Sequence, residues 1–294
     1  MGLINDYTDV AHKVKTEKRN HELSASVVIP FHEGYDILAR TIKSLTQQTY
    51  PKDRFEVIIA ADANHADARL ITKQVKKEID IKLVTLSNAG FGPSSPRNAG
   101  IYAARGDVII SLDSDMICPP SFLDSHMVWF HNSSKIATIG LRKFVEASKI
   151  ELLDITPDFR MISSLPEIQS ISNNAVCSRK DKRIPELKQL KIHPFPSNCF
   201  HGGNVAYWRD DALDIGLWDE EFNGNYGYED IEFGQRLFEI GRKLVFESNT
   251  TTYHQESKFV SPYERKKGLS INRIKLYNRY PALGRFRRDI LGLP

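Results

Sequence analysis

Ile109-Ile110-Ser111-Leu112-Asp113-Ser114-Asp115 is the stretch on which the fold turns. An apolar, β-rich run ends abruptly in two carboxylates spaced i and i+2. Alternate side chains of an extended chain point the same way, so Asp113 and Asp115 face one site together. Paired oxygen ligands after a buried strand suit a hard divalent cation. A cation held by one or two carboxylates keeps positions open for phosphate oxygens, the arrangement that polarises a diphosphate leaving group. Alone, the same residues also read as an Asp-rich turn closing a strand. What surrounds them decides.

Upstream, Ser26-Val27-Val28-Ile29 reads as a first strand ended by Pro30, Phe55 to Ala60 as a second, and Ile81 to Leu86 as a third. Between them the periodicity predicts an amphipathic helix over 36–48, with Asp36 as N-cap and Ile37, Thr41 and Leu45 on one face, and a charged helix over 67–78. Ser95-Pro96 opens a short helix that stops at Arg105-Gly106, with proline early and glycine just past the end. Val108 to Leu112 is the next strand. Alternating strands and helices specify an α/β fold, a mostly parallel central sheet flanked by helices. Ligands of such sheets sit beyond the carboxyl ends of the strands. Pro30, Asp62 and Asp113 all fall there.

The second half reads differently. Residues 140–200 are irregular and form a long excursion over the site. At His201-Gly202-Gly203-Asn204 two glycines permit close backbone approach to a ligand, or simply make a tight turn. Glu229 and Asp230 open a helix with Phe233, Leu237 and Ile240 on one face and Gly241 as its stop. Carboxylates there offset the helix dipole. Led in by Gly224-Asn225-Tyr226-Gly227-Tyr228, they also read as a general base on a rigid element. His254, after a strand over 243–246, is structural if it stands alone. Beside carboxylates it completes a manganese-like site.

Composition bounds the rest. A chain of 294 residues that is 41% hydrophobic can bury a large core. Residues 255–294 hold ten Lys/Arg against three Asp/Glu, so a net +7 sits there while the other residues sum to −4. Three scattered cysteines, Cys118, Cys177 and Cys199, give neither a disulfide framework nor a zinc pattern. No apolar run nears the roughly 18 residues of a membrane span. The polar segment around Asn5, Asp6 and Asp9 lacks a signal-peptide core. The expectation is a cytoplasmic protein, at most peripheral to the inner face of the membrane.

The motifs, in their order and spacing, resemble nucleotide-sugar glycosyltransferases of the GT-A fold, family 2 in particular, over about residues 24–256. They are Val28-Ile29-Pro30-Phe31-His32-Glu33, Ala61-Asp62, Arg97-Asn98-Ala99-Gly100, Asp113-Ser114-Asp115 (a DXD motif), Gly202-Gly203-Asn204 and Glu229-Asp230. Tyr253-His254-Gln255-Glu256 resembles the branch with bacterial chondroitin-type polymerases and relatives of galactosyl- and N-acetylgalactosaminyl-transferases.

The resemblance implies roles residue by residue. Pro30, Phe31 and Glu33 would line the nucleoside pocket, and Asp62 would bond the uracil or ribose. Arg97 would reach the base or diphosphate. Asp113 would meet the ribose or the metal, Asp115 and His254 would hold Mn2+ or Mg2+, and Gly203 and Asn204 would border the donor sugar. Asp230 would be the catalytic base, with Glu229 turned toward substrate hydroxyls. Many relatives carry two acids where this chain has Ala61-Asp62, so Asp62 alone would serve the nucleoside.

Three regions follow: an N-terminal arm or helix (1–24), the GT-A domain (25–256, with a nucleotide-binding half over 25–118 and an acceptor half over 119–256), and a basic helical extension (257–294). The expected activity is metal-dependent, inverting transfer of a sugar from a UDP-linked hexose or N-acetylhexosamine to an acceptor hydroxyl. A catalytically silent sugar-nucleotide or glycan-binding module on the same fold is the alternative. A glycan, lipid-linked glycan, peptide or small molecule fits as acceptor. Trp218, Tyr226 and Tyr228 are candidates to stack on an acceptor sugar, or to pack in the core. The extension interleaves cations with aromatics at Tyr263-Glu264-Arg265-Lys266-Lys267 and Arg285-Phe286-Arg287-Arg288. It reads as a solvated appendage, an anionic-membrane contact or a grip on an acidic acceptor. Nucleic acid is disfavoured because no matching motif accompanies the charge.

Overall fold

Val27, Val28, Ile29, Val57, Ile58, Ile59, Ile109 and Ile110 are all fully buried. Strands buried on both faces belong to the middle of a sheet covered by helices on each side. The computed structural model describes residues 4–16, 21–62, 65–87, 92–168, 170–172, 175–177, 181–256 and 262–292.

The first half alternates: helix α1 (Thr8–Thr16), strand β1 (Ala25–Phe31), α2 (Tyr35–Thr46), β2 (Phe55–Asp62), α3 (His65–Val75), β3 (Asp80–Leu86), α4 (Ser94–Ala103) and β4 (Val108–Leu112). Then follow β5 (Met116–Ile117), α5 (Phe122–Asn132), β6 (Ile136–Ile139), β7 (Arg142–Glu146), α6 (Arg160–Ser164), β8 (Ser170–Ser172), β9 (Ala175–Cys177) and α7 (Ile184–Leu187). The last third holds β10 (Asn204–Trp208), α8 (Arg209–Asp214), α9 (Glu229–Glu239), β11 (Lys243–Phe246), β12 (Thr252–Glu256), α10 (Pro262–Arg279) and α11 (Pro281–Asp289).

The main sheet has the order β11-β6-β10-β4-β1-β2-β3. Neighbours run parallel except β10, which is antiparallel to β4 and β6. Alternate residues feed opposite cores. Val27, Ile29, Val57 and Ile59 meet Leu38, Ile42 and Leu45 of α2 and Met127 of α5. Val28, Ile58 and Ile109 meet Ile101 of α4 and Phe233 and Leu237 of α9. A second sheet, β5-β12-β7, pairs β12 antiparallel to β5 and parallel to β7. Its register sets His254 opposite Met116, one residue past Asp115.

Several local expectations are corrected. α2 starts from Gly34, whose φ of 106° only glycine adopts easily, and Asp36 lies in the first turn instead of capping. Pro96 falls in the first turn of α4, which begins at Ser94. The 140–200 excursion contains β7 and the β8–β9 hairpin. The N-terminal segment is anchored: the Asn5 side chain donates to Leu190 O and Leu244 O (2.8 Å each) and accepts from Leu244 N–H (2.8 Å). In the C-terminal extension, Leu276 and Leu283 are buried against Phe222 and Ile231, so these helices dock by one face instead of forming a free appendage. Residues 257–261 lie outside the described residues. Among the described residues no helix is long and apolar enough to cross a membrane, and Cys118 and Cys199 are buried free thiols.

Asn204 bolts the two sheets together. Its side chain is buried and donates to Leu141 O (3.0 Å), beside β7, and to Thr250 O (2.7 Å), ahead of β12. Its carbonyl oxygen accepts from His126 Nε2 (3.1 Å), while His126 Nδ1 meets Thr138 Oγ1 (2.7 Å). Burial pushes His126 down to about 3, so it stays neutral. The expected donor-sugar contact of Asn204 is therefore corrected: its amide is fully occupied inside the protein. Asn204→Ala strands these buried groups and should lower stability by about 2–4 kcal/mol, measured by urea unfolding. A loss below about 0.5 kcal/mol, a surface-like value, would refute the bolt.

Candidate active site

The Asp113–Asp115 turn is braced from three directions. Asp113 N–H donates to Gly203 O (3.1 Å), from β10's approach. Thr41 Oγ1, on α2, donates to Ser114 O (2.8 Å). Gln255 N–H, on β12, donates to Asp115 O (2.9 Å). The backbone of the turn is thus fixed before any ligand arrives. Gly203 presses against it: a Cβ there would lie 2.0 Å from Asp113 Oδ2. A Cβ on Gly202 would lie 3.0 Å from the Arg97 guanidinium. The paired glycines allow close approach, here to the site's own side chains.

Arg97 of α4 is the centre. It is only 3% exposed, donating to Asp113 Oδ1 (3.0 Å) and Glu229 Oε1 (3.2 Å). Its guanidinium lies 4.5 Å from the Trp218 ring centroid, a favourable cation–π distance. Trp218 is itself buried, stacked on Phe233 at 4.2 Å and donating to Tyr207 OH (3.0 Å). Stacking on an acceptor is corrected for Trp218, because both its faces and its N–H are used inside. Arg97 likewise is held by two carboxylates instead of reaching outward.

Glu229 and Asp230 share the N-terminus of α9 but not the same surroundings. Glu229 is buried on Arg97, whereas Asp230 is half-buried and accepts from Ile231 N–H (2.8 Å). Burial, reinforced by Asp230, pushes Glu229 up to about 7 against the pull of Arg97. Burial also raises Asp230, opposed by Arg97 and the Ile231 amide. The helix dipole favours ionisation, but loss of solvation wins at both. Tyr228, the residue before them, has a left-handed φ of 72° and lies against Arg287. Tyr226 is half-buried in the same loop.

A cleft of about 480 Å³ opens beside the braced turn, lined by Pro30, Phe31, His32, Glu33, Asp62, Asp113, Ser114 and Asp115, with Gly92, Pro93 and Pro96 on its far wall. The expected nucleoside residues are therefore brought together. His254 Nε2 lies 3.2 Å from Asp115 Oδ2. Burial, then Asp113, pushes Asp115 up to about 7. Its Oδ1 is buried with no hydrogen-bond partner. Asp113 turns to Arg97 instead, and among the described residues no three His, Cys, Asp or Glu side chains gather as a metal cluster. A carboxylate and an imidazole with an unsatisfied oxygen fit a divalent cation whose remaining ligands come from substrate or water.

Arg142 and His201 escape sequence reading. Arg142, on β7, donates to His201 Nδ1 (2.9 Å), and its charge lowers both Asp115 and Asp230. His201 is held neutral by burial and the nearby Arg183 and Arg142. The sole signal was a histidine ahead of the double glycine, since Arg142 sat inside the excursion.

Carboxylates aligned at the ends of parallel strands, with an acidic helix start facing them, define a GT-A glycosyltransferase; solved structures share this fold. One is a Staphylococcus aureus TarS fragment in complex with UDP-GlcNAc (16% identity, TM-score 0.60, 87% of this chain and 67% of that one). Another is the Pyrobaculum calidifontis mannosyltransferase PcManGT in complex with GDP-Man and Mn2+ (13%, 0.60, 91% and 70%). The chain belongs to glycosyl transferase family 2, whose profile matches residues 26–207. It is 29% identical over 267 residues to the hyaluronan synthase of Pasteurella multocida and 33% over 240 residues to the chondroitin synthase of Escherichia coli. These matches cover 86% and 79% of this chain but span only 27% and 34% of those relatives.

Two outcomes follow. Gly203→Ala forces Asp113 aside, so nucleotide affinity should fall at least tenfold by calorimetry while the melting temperature holds; unchanged affinity refutes the contact. For pH, a carboxyl raised on folding lends stability below its unfolded pKa and loses it as pH climbs through the folded value. For Glu229 that window runs from about 4.5 to about 7. The buried, neutral His126 and His201 act with opposite sign, so the comparison must be against Glu229→Gln. In chelator, the melting temperature of Glu229→Gln relative to wild type should rise between pH 5.5 and 8. A flat difference would contradict the shift.

Proposed function

We propose that this chain transfers a hexose or N-acetylhexosamine from a UDP-linked donor to an acceptor hydroxyl, with inversion and a divalent metal. The observation that carries the reading is the division of labour at α9: Arg97 holds Glu229, which leaves the half-buried Asp230 as the carboxylate open to an acceptor. The names of the synthase relatives and the UDP-GlcNAc bound to TarS support the donor class.

Pro30, Phe31 and Glu33 flank the nucleoside, and Asp62 meets its base or ribose from the end of β2. Asp113, steered by Arg97, meets the ribose. Asp115 and His254 would hold Mn2+ or Mg2+; Mn2+ accompanies GDP-Man in PcManGT. When bound, the cation offsets charge building on the departing diphosphate. Asp230 takes the proton of the acceptor hydroxyl as that oxygen attacks C1 of the sugar. One base opposite the leaving group gives a single displacement. The raised pKa of Asp230, caused by burial, strengthens it as a base.

Asp230→Asn keeps the shape and removes the base. It should cut kcat by about 10²–10⁴-fold and leave UDP affinity within twofold. Turnover is read by mass spectrometry over a panel of sugar nucleotides with manganese. Near-normal kcat in Asp230→Asn with a dead Glu229→Gln would move the base one residue back.

Asp115→Ala, or excess chelator, should abolish transfer, and NMR of the product should show the anomeric configuration opposite to the donor's. Full activity in chelator, or retained configuration, would overturn the metal or the displacement respectively.

A further inference from the structure

The loop before α9 has left-handed backbone at Gly224 (φ 83°), Gly227 (69°) and Tyr228 (72°). Such conformations persist where surrounding structure over-determines them, above all at a non-glycine such as Tyr228. The support comes from the C-terminal helices. Asn272 of α10 is 0% exposed and spends both amide hydrogens on this loop, one on Phe222 O and one on Gly227 O, each at 2.9 Å. The two carbonyls bracket the turn. Gly268 brings the α10 backbone so close that a Cβ there would lie 2.8 Å from Tyr226 N. Leu269 would sit 3.0 Å from a Cβ on Gly227.

α11 closes the grip from the other side. The Arg287 guanidinium lies 5.2 Å from the Tyr228 ring centroid and bonds Asn198 Oδ1. Next to Asn198, Ser197 Oγ donates to Gln235 of α9 (2.6 Å). Arg279 bonds Asp219, Glu221 (2.8 Å) and Glu232. Arg279 thus ties the extension to the acidic segment that leads into and along α9.

We infer that residues 262–292 are a brace that sets the position of the Asp230 carboxyl, with Asn272 as its positioning residue. This rests on the reading of Asp230 as the base. Asn272 touches no substrate; it fixes the two carbonyls between which the chain turns into α9. A displacement of about 1 Å at a reacting group is worth up to about 100-fold in rate.

The test is a double-mutant cycle on the full chain, with transfer kinetics and UDP affinity as readouts. Asn272→Ala should lower kcat by about 10–100-fold, leave the donor KM and UDP affinity within twofold, and add no further loss in the Asp230→Asn background. Asn272→Ser, which keeps one donor, should recover part of kcat and completes the cycle if the alanine variant does not fold. A kcat within twofold of wild type in Asn272→Ala overturns the brace while leaving the base assignment intact. So does a loss that appears in donor KM, or one that multiplies fully with Asp230→Asn. Normal turnover in Asp230→Asn itself overturns both.

Discussion

One buried guanidinium sets the geometry of this site. Arg97 is shared by a carboxylate at the end of β4 and a carboxylate at the start of α9, two elements that are over a hundred residues apart in sequence. A buried ion pair seldom adds stability, since desolvation cancels much of the attraction. What it adds here is registry. Without the cation, Glu229 would be buried with no counter-charge and would have to protonate or move, and Asp113 would lose the partner that orients it. The Trp218–Phe233 stack beneath the guanidinium removes its freedom to tilt. Nucleoside side and acceptor side are therefore coupled through a single rigid side chain.

The same low polarity explains the carboxyls. Asp115, Glu229 and Asp230 are all raised by burial, and each has a cationic neighbour that opposes the shift without cancelling it. A cation at Asp115 would invert the local balance. The base proposed at Asp230 needs no such inversion, because a base is most useful when its affinity for protons approaches the working pH. The two carboxylates with proposed roles, Asp115 for a metal and Asp230 for a proton, are thus both raised by burial.

How much of this was legible in the sequence follows from the range of the interactions. Strands β4 and β11 fall where their apolar runs predicted; Asp113 and Asp115 declare themselves by residue type just past a strand end, and His254 by residue type alone, in the middle of β12. The approach of His254 to Asp115 did not follow, because it depends on the pairing of β12 with β5 in the second sheet. Asn204 misled and Trp218 was left open, since a polar or aromatic residue near a glycine looks the same whether it faces solvent or the interior. Only the three-dimensional neighbours, Leu141 and Thr250 for one and Phe233 and Tyr207 for the other, decide. β5 and β7 were invisible for a related reason: β5 is only two residues, β7 (Arg142–Glu146) is a mostly charged run, and their pairing partner β12 lies far along the chain.

The far edge of the main sheet carries one further consequence. Among the described residues β11 has a strand neighbour on one side only, and an open edge invites pairing with any other strand. Asn5 places its amide against both backbone groups of Leu244, imitating with one side chain the hydrogen bonds of an adjacent strand. It therefore acts as a stopper against edge-to-edge growth. A change at this position, remote from any chemistry, would be felt first as self-association in the test tube, with the cleft and its carboxylates untouched.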